Sequence, residues 1–438
     1  MCYLRKANMV KKKSSFKKTI KEAAFKSVFT LFPREFVLGK LFNLEEILRY
    51  VSNSGIIFKL ATTPREHEAA AKLTYEAYLA QGMMPPNHLK KRISKYNLSP
   101  GTFTIIAVKK GQTQKDDEVI ATVSLINDSN LGLPSDNVAD LSSNRKGNVI
   151  AEVGSLCVKQ GYRKSRGKIL LPLMKYLKML ADQLNIDTLI CTVHPQAASF
   201  YEVLFNGQKL PQKRASYICG TNELPACVIS IKCDYKELKR MLQDPKTPLL
   251  RRQVIEYYST ISDEPYYIVE DFDLKVREHS SFDRDYARVL FDEYLELGGE
   301  LIEEDYRTLT SMLRDMSVCN DEVYKARVRE HRVLTSFTTT MNTESLGHIT
   351  CKTMDSSFSG MRLTVEQVFS DTEIELFITY GARKSLYLRG RVMWRKEYTV
   401  GVKIEGGDVE LWQSVIEKAL GIEEAPAKKQ VLEEKKAA

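Results

Sequence analysis

Four cationic side chains and one glycine stand together just before a predicted helix that begins at Ile169. The stretch reads Arg163-Lys164-Ser165-Arg166-Gly167-Lys168. Cationic side chains in such a turn can bind a phosphate group or the acidic face of another protein. The alternative is a solvated basic turn without a ligand, and the residues alone leave both interpretations open.

The elements around this turn alternate between strands and helices. The segments beginning at Phe58, Thr102, Glu118, Asn148, Thr188 and Leu224 are strand-like, and helical segments begin near Pro64 and Ile169. Antiparallel strands followed by a strand–helix–strand unit predict one α+β domain over residues 56–236. A helical connector is predicted for residues 237–322, six short strands and a closing helix for residues 323–422, and disorder for residues 423–438.

The charge of the chain is unevenly distributed. The net charge of its 438 residues is +9, and much of the excess lies in residues 1–26, where Glu22 is the only acidic residue. Such a block predicts attraction to an acidic surface. Apolar residues at helical spacing between Ser15 and Phe32 fit either a helix lying on an anionic membrane or a helix docked on the next domain. We predict residues 1–55 as a basic amphipathic helical extension, with a membrane surface as partner of residues 1–32 and no nucleic-acid partner.

The pattern of the cysteines and the length of the apolar runs predict the cellular compartment of the protein. The eight cysteines lack the paired spacing of metal ligands and lie mostly in strand-like runs, which is typical of buried thiols in a reducing environment. No metal site is predicted. The absence of an apolar run of 18 residues and of a signal-peptide pattern predicts a cytoplasmic protein, with peripheral binding at the inner membrane through its N-terminal helix.

The first domain resembles the N-acyl amino acid synthases of the FeeM type, which have the GNAT acyltransferase fold and are related to the acyl-homoserine-lactone synthases. The segments that carry the resemblance are, in order, LATTPREHEAAAKLTYEAYLAQGMM, DSNLGLP, AEVGSLCVKQGYR, TVHPQAASFYEVLFNGQKL and LPACVISI. The resemblance implies transfer of a long-chain acyl group from acyl carrier protein to the α-amine of an amino acid. The donor would be an acyl-phosphopantetheine, with no permanently bound cofactor.

The resemblance also implies roles for single residues. Glu152 matches the strand glutamate that handles the amine proton, so it is predicted as the general base, with a structural ion pair as the alternative. Ser155 stands where the lactone synthases have an arginine, which affects substrate recognition. The basic turn replaces the glycine-rich turn that binds coenzyme A in GNAT proteins. It therefore favours a pantetheine phosphate and a carrier protein, with Arg163, Lys164, Arg166, Gly167 and Lys168 as the binding residues.

Two further residues have a role and an alternative. Asp128 is predicted to contact the amine or acceptor substrate, but an aspartate before a turn is also a common cap. Tyr201 occupies a position that in GNAT proteins protonates the departing thiolate, although packing in the core explains Phe200 and Tyr201 equally well.

The C-terminal part resembles PilZ domains, six-stranded barrels that bind cyclic di-GMP. The resemblance rests on a complete D-x-S-x-x-G motif, formed by Asp355, Ser357 and Gly360, and on the strands of RGRVMWRKEYTVGVKIE. A carboxylate and a hydroxyl can serve the donor edge of guanine, and arginines reach its acceptor edge and the phosphates. The upstream R-x-x-x-R motif is imperfect, and its candidates are Lys325, Arg329 and Arg332. Ligand binding and a degenerate adaptor barrel both stay open.

Together these patterns predict an α+β chain: a GNAT-like mixed sheet flanked by helices, a helical connector and a six-stranded PilZ-like barrel. The predicted function is N-acyl amino acid synthesis controlled by cyclic di-GMP. Two rivals remain. One is an acetyl-coenzyme A-dependent amine acetyltransferase, and the other is a non-enzymatic cyclic di-GMP effector on a GNAT-like scaffold.

Overall fold

The computed structural model describes residues 43–163, 167–219, 222–259, 264–269, 284–312, 330–381 and 384–420. The predicted membrane-binding segment 1–32 and the tail 423–438 lie outside these ranges. Within the described part of the chain, no helix combines the length and the apolar character needed to cross a bilayer.

The N-terminal part is built on one mixed sheet of eight strands in the order β10-β1-β2-β3-β4-β5-β9-β6. Strand β4 pairs antiparallel with β3 and parallel with β5, so it lies near the centre of the sheet. A separate hairpin is formed by β7 and β8. The strand bounds are β1 Ile56–Leu60, β2 Thr102–Lys109, β3 Glu118–Asn127, β4 Ile150–Val158, β5 Thr188–Val193, β6 Gln208–Lys209, β7 Ser216–Cys219, β8 Asn222–Pro225, β9 Cys227–Lys232 and β10 Tyr267–Ile268.

Helices cover both faces of this sheet and connect it to the C-terminal part. They are α1 Leu44–Ser54, α2 Pro64–Ala80, α3 Ser142–Arg145, α4 Leu170–Gln183, α5 Ala198–Phe205, α6 Tyr235–Gln243, α7 Leu249–Ser259, α8 Arg284–Glu296, α9 Glu303–Met312 and α10 Val409–Ala419, with 3-10 turns at Lys95–Leu98, Gln114–Asp116, Pro134–Asn137, Gln160–Tyr162 and Pro195–Ala197. Helix α2 begins where the sequence predicts, because Thr63 and Glu66 form a reciprocal capping box and Pro64 fills the first helical position.

The predicted helical connector, residues 237–322, is not helical throughout. It contains α6 to α9, but it also contributes β10, which pairs parallel with β1. The N–H of Phe58 donates to the carbonyl of Tyr266 over 2.7 Å, and the rings of Tyr266 and Tyr267 pack on Phe58. Strand β10 has only two residues, Tyr267 and Ile268, and such a short stretch cannot be recognised as a strand from the sequence without its sheet partner. The sheet of the first domain therefore extends beyond the predicted boundary at residue 236.

The C-terminal part is a closed antiparallel barrel. Its ring runs β12-β13-β14-β17-β16-β15 and returns to β12. The predicted first strand is divided: β11 pairs with the end of β13, and the chain leaves the ladder at residues 335–337 before β12. The bounds are β11 Val333–Leu334, β12 Thr338–Thr343, β13 Gly347–Ser356, β14 Gly360–Thr364, β15 Glu373–Tyr380, β16 Lys384–Lys396 and β17 Thr399–Gly407. Trp412 of α10 is fully buried and packs edge-on against Phe337 in the barrel core.

The barrel contacts the N-terminal part at two places. At the first, the side-chain amide of Asn185 donates to the carbonyl of Ser336 over 2.8 Å, and Lys352 forms an ion pair with Asp187 at 2.5 Å. At the second, β14 lies against the segment between β3 and β4. The second contact brings the barrel close to the residues that surround Glu152.

Candidate active site and nucleotide site

A large cleft opens where β4 and β5 separate. These parallel strands pair from Ile150 to Val153 on β4, and the ladder ends at the pair Val153–Cys191, although both strands continue. The cleft has a volume of about 1200 Å³, and its lining includes Glu152, Ser155, Arg163 and Tyr201. Four residues that the sequence predicts for catalysis and binding therefore line one cavity. Its volume slightly exceeds the range of drug-sized pockets, which is roughly 300–1000 Å³.

Glu152 is a nearly buried carboxylate held by two hydrogen bonds. Ala151 and Val153 point into the main core, so Glu152 between them points to the opposite face of β4. The N–H of Ser135 donates to its Oε2 over 2.8 Å, and the Thr192 hydroxyl donates to its Oε1 over 3.0 Å. Burial disfavours the charged form and outweighs these hydrogen bonds, which raises the pKa of Glu152 to about 7. Such a carboxylate is suited to accept a proton near neutral pH.

A β-bulge distorts β4 next to this glutamate. The pairing of β3 with β4 shifts between Thr122 and Ser124, and Ser155 has a φ of 52°, in the left-handed region that a serine rarely adopts. A bulge leaves an extra residue outside the ladder. Here it lies in the part of β4 that borders the cleft, where an unpaired main-chain N–H could serve an oxyanion.

Arg92 is a cleft residue that the sequence analysis missed. Its guanidinium lies 4.7 Å from the centroid of the Tyr78 ring, and its Nη1 donates to the Ser155 hydroxyl over 3.3 Å. In the sequence it belongs to the run KKRISK, and nothing there distinguishes it from the neighbouring lysines. The segment after α2 thus places a guanidinium beside Ser155.

Tyr201 lies in α5 at the wall of the cleft. Its side chain is buried, and burial raises the pKa of the phenol above its ordinary value of 10.0, so the hydroxyl is protonated at neutral pH. The ring also packs edge-on against Phe200. Tyr201 therefore packs in the core and also lines the cleft.

Asp128 does not line the cleft. Its carboxylate is buried and is bound on both oxygens by Arg145, with Nε–Oδ2 at 2.7 Å and Nη2–Oδ1 at 2.9 Å. Arg145 also binds Asp136 through Nη1 and Nη2, each over 2.7 Å. This geometry disagrees with the predicted substrate contact, because Arg145 engages both oxygens of Asp128. The aspartate instead orders the segment between β3 and β4.

The basic turn is only partly directed toward the cleft. Arg163 lines the cleft, and its Nε donates to the carbonyl of Val158 over 2.8 Å. Gly167 has a φ of 83°, which a residue with a side chain rarely adopts. Lys168 does not line the cleft, because it forms an ion pair with Glu46 at 2.6 Å and lies over the Tyr50 ring. Lys164 and Arg166 lie outside the described residues.

The D-x-S-x-x-G residues of the barrel form a compact polar cluster. Asp355 contacts Arg332 at 2.5 Å through Oδ1 and Arg362 at 2.7 Å through Oδ2. The Ser357 hydroxyl donates to Glu330 over 2.7 Å. At Gly360, an added Cβ would lie 2.7 Å from the carbonyl oxygen of Val402, so the close approach is to a neighbouring strand.

Two members of this cluster, Glu330 and Arg362, were not predicted, although Glu330 directly follows the candidate Arg329 in the sequence. Glu330 accepts hydrogen bonds from Ser357 and from both the N–H and the hydroxyl of Ser359. Lys325 and Arg329, the first candidates for the arginine motif, lie outside the described residues. Arg332 is therefore the one candidate of that motif whose contact with Asp355 can be described.

Two family models match the chain, one in each part. The family model described as N-acyl amino acid synthase FeeM matches residues 69–229, and the PilZ domain model matches residues 326–420. The chain joins a FeeM-type domain to a PilZ domain. The FeeM match supports acyltransferase activity for the first domain, and the PilZ match supports cyclic di-GMP binding for the second.

Solved structures similar to the chain include FeeM, an N-acyl amino acid synthase from uncultured soil microbes. It is 21% identical, with 41% of this chain and 92% of that one covered and a TM-score of 0.34. The acyl-homoserine lactone synthase LasI is 15% identical, with 42% and 92% covered and a TM-score of 0.32. The acyl-homoserine lactone synthase BjaI, described as CoA-dependent, is 12% identical, with 54% and 99% covered and a TM-score of 0.31. A search of the curated proteins gives no match.

Proposed function

We propose that the FeeM-type domain transfers a long-chain acyl group from acyl carrier protein to the α-amine of an amino acid, under control of cyclic di-GMP bound by the PilZ domain. The observation that carries the proposal is the position of Glu152. A carboxylate with a pKa of about 7 borders a cleft large enough for a thioester and an acceptor.

The reaction needs a base because an amino acid carries an ammonium group at neutral pH. Glu152 takes one proton from this ammonium, directly or through a water. The free amine attacks the thioester carbonyl, the N–C bond forms and the C–S bond breaks. The second proton of the attacking nitrogen ends on the departing sulfur, giving the thiol of phosphopantetheine. The products are an N-acyl amino acid and the free carrier protein.

The cleft supplies further groups for this reaction. The bulge at Ser155 offers main-chain N–H donors to the thioester oxygen as it becomes an oxyanion. The protonated hydroxyl of Tyr201 can donate to the departing sulfur. Arg163 at the cleft wall provides a cation for the pantetheine phosphate or for the acidic surface of the carrier protein. These roles, together with those of Lys164, Arg166, Gly167 and Lys168 in the basic turn, are part of the proposal.

Arg92 is the residue that favours an amino acid over a simple amine. A guanidinium binds a carboxylate with two parallel hydrogen bonds, and Arg92 reaches the Ser155 hydroxyl on the same strand as Glu152. An acceptor whose amine lies at Glu152 would direct its α-carboxylate toward Arg92. Ser155 would then orient the guanidinium.

Acyl transfer by the purified chain tests the proposal directly. Acyl carrier protein and coenzyme A loaded with the same long acyl chain compete as donors for a mixture of amino acids, and the products are identified by mass spectrometry. N-acyl amino acids formed mainly from the carrier protein are expected. Transfer from coenzyme A to simple amines would favour the acetyltransferase class instead. No transfer from either donor, with intact dinucleotide binding, would favour a non-enzymatic effector.

The cellular location belongs to the same proposal. Acyl carrier protein and cyclic di-GMP both act in the bacterial cytoplasm, so we place the chain there, with residues 1–32 binding the inner membrane. Fractionation of cells that produce the full chain or a chain without residues 1–32 tests this location. A membrane fraction that does not depend on residues 1–32 would contradict it.

A further inference from the structure

Strand β14 connects the nucleotide motif of the PilZ domain to the FeeM-type domain. The strand begins at Gly360, the last residue of D-x-S-x-x-G. Two of its side chains that share one face contact the segment between β3 and β4. Arg362 Nη1 donates to the side-chain oxygen of Asn130, and the Thr364 hydroxyl donates to the carbonyl of Arg145 over 2.7 Å. We call these two hydrogen bonds the interdomain contact.

Arg362 belongs to both sites at once. Its Nε lies 2.7 Å from Oδ2 of Asp355, while its Nη1 reaches Asn130. The side chain is 11% exposed, and both its Nε and its Nη2 are buried without a hydrogen bond, so Nε meets Asp355 as an ion pair only. One guanidinium therefore joins the carboxylate of the nucleotide motif to the FeeM-type domain, and it has a donor left over.

The segment that receives the interdomain contact also holds Glu152. Arg145 binds Asp128 and Asp136, one at each end of loop 128–137. Within the loop, Asp136 accepts from the N–H of Leu133 over 2.7 Å, and the N–H of Ser135 donates to Glu152. A change at Asn130 or at Arg145 therefore acts on the same short loop that binds the proposed base.

We propose that the interdomain contact transmits occupancy of the nucleotide site to loop 128–137, and through this loop to Glu152. The inference rests on the proposed binding of cyclic di-GMP. A guanine donor edge at Asp355 competes with Arg362 for the carboxylate, and the phosphates of the ligand attract the same guanidinium. Arg362 then leaves Asn130, and loop 128–137 opens more often.

Hydrogen exchange of the full chain tests the inference without depending on acyl transfer. Exchange of peptides covering residues 128–137 is measured with and without cyclic di-GMP, and binding is measured by calorimetry. The test variant is Asn130→Ala combined with Thr364→Val, which removes the interdomain contact and keeps Asp355, Ser357 and Gly360. The control is Asn342→Ala, which removes a hydrogen bond to Glu375 elsewhere on the barrel.

Faster exchange of loop 128–137 on ligand binding is expected for the wild type and for Asn342→Ala. Loss of one hydrogen bond changes an opening equilibrium about five-fold, so a change of that size or larger is expected. In the double variant the loop should exchange fast with or without ligand, while binding is retained.

Three results would overturn the inference: no binding of cyclic di-GMP by the wild type, binding without a change in this loop, or an unchanged response in the double variant. If acyl transfer is absent but the ligand-dependent exchange is present, the proposed reaction fails and the coupling between the domains stands.

Discussion

The main-chain N–H of Ser135 donates a 2.8 Å hydrogen bond to Oε2 of Glu152, from a loop that leaves the sheet and returns to it. The Ser135 hydroxyl also lies 2.8 Å from that of Thr192, the second donor to the same carboxylate. Glu152 is therefore held by two residues whose hydroxyl groups are hydrogen-bonded to each other. The orientation of Glu152 depends on the order of loop 128–137 as well as on β4.

The first prediction concerns the chemistry of Glu152. Glu152→Gln keeps the size of the side chain and one acceptor oxygen for the N–H of Ser135, but it cannot accept the proton of an ammonium group. We expect acyl transfer to fall at least about 100-fold, the size of a general-base contribution. Steady-state rates with acyl carrier protein as donor provide the measurement. The matched control is Glu118→Gln, which changes an ion pair with Lys159 and should leave the rate unchanged. A Glu152→Gln variant of normal activity would remove Glu152 from the mechanism.

The pH dependence of the rate follows from the same group. Glu152 must be ionised to act as base, so kcat/KM should rise with pH and level off above an apparent pKa of about 7. Asp136 raises this pKa by charge repulsion, the charge of Glu152 acts in turn on Tyr96 and Cys191, and His194 lines the same cleft. Burial raises the pKa values of Tyr96 and Cys191 further above their ordinary values of 10.0 and 9.0, so both groups stay uncharged in this range. A rate that is flat from about pH 6 to about pH 8, one unit on either side of this pKa, would contradict the assignment.

The sequence predicts only part of this site. The apolar pattern predicts strand β4, and the family resemblance points to its glutamate. The bulge at Ser155 was not predicted. For Asp128 the sequence leaves a substrate contact and a cap open, because its partner Arg145 lies 17 residues away across a loop. Lys168 pairs with Glu46 on a helix that comes much earlier in the chain. Such pairings depend on tertiary structure, and residue spacing does not reveal them.

The burial of Glu152 should make the free energy of unfolding of the chain depend on pH. The pKa of this carboxyl is raised from 4.5 to about 7 in the folded protein, so the unfolded chain releases its proton at lower pH. The folded state therefore loses stability as the pH rises from 4.5 to 7, by about 3 kcal/mol in total. Glu152→Gln removes this loss. Its Tm relative to the wild type should be higher at pH 8 than at pH 5, measured by calorimetry, and an equal difference at both pH values would contradict the raised pKa.

Arg92 should decide between amino acids and simple amines. The wild type is expected to prefer leucine strongly over isopentylamine, which lacks the carboxylate. Arg92→Gln should lose about 10- to 100-fold in kcat/KM for leucine and little for the amine, because a charged hydrogen bond to the carboxylate is lost. Arg49→Gln, on the exposed face of α1, serves as the control. An equal loss for both acceptors would assign Arg92 to the donor or to the fold.

The last prediction concerns the nucleotide site. Asp355→Asn keeps the size of the side chain but removes the charge that holds Arg332 and Arg362, and it leaves one acceptor oxygen instead of two for the proposed guanine donor edge. We expect the affinity for cyclic di-GMP to fall at least about ten-fold, since charge-assisted hydrogen bonds are worth roughly 1.5–3 kcal/mol each. Calorimetric titration of the full chain gives the Kd. Asp371→Asn is the matched control, because its exposed carboxylate bonds Ser345 on another part of the barrel. Equal affinities of the wild type and Asp355→Asn would place the ligand elsewhere. A wild type that does not bind would make the barrel an adaptor, and the coupling through Arg362 would then have no ligand to transmit.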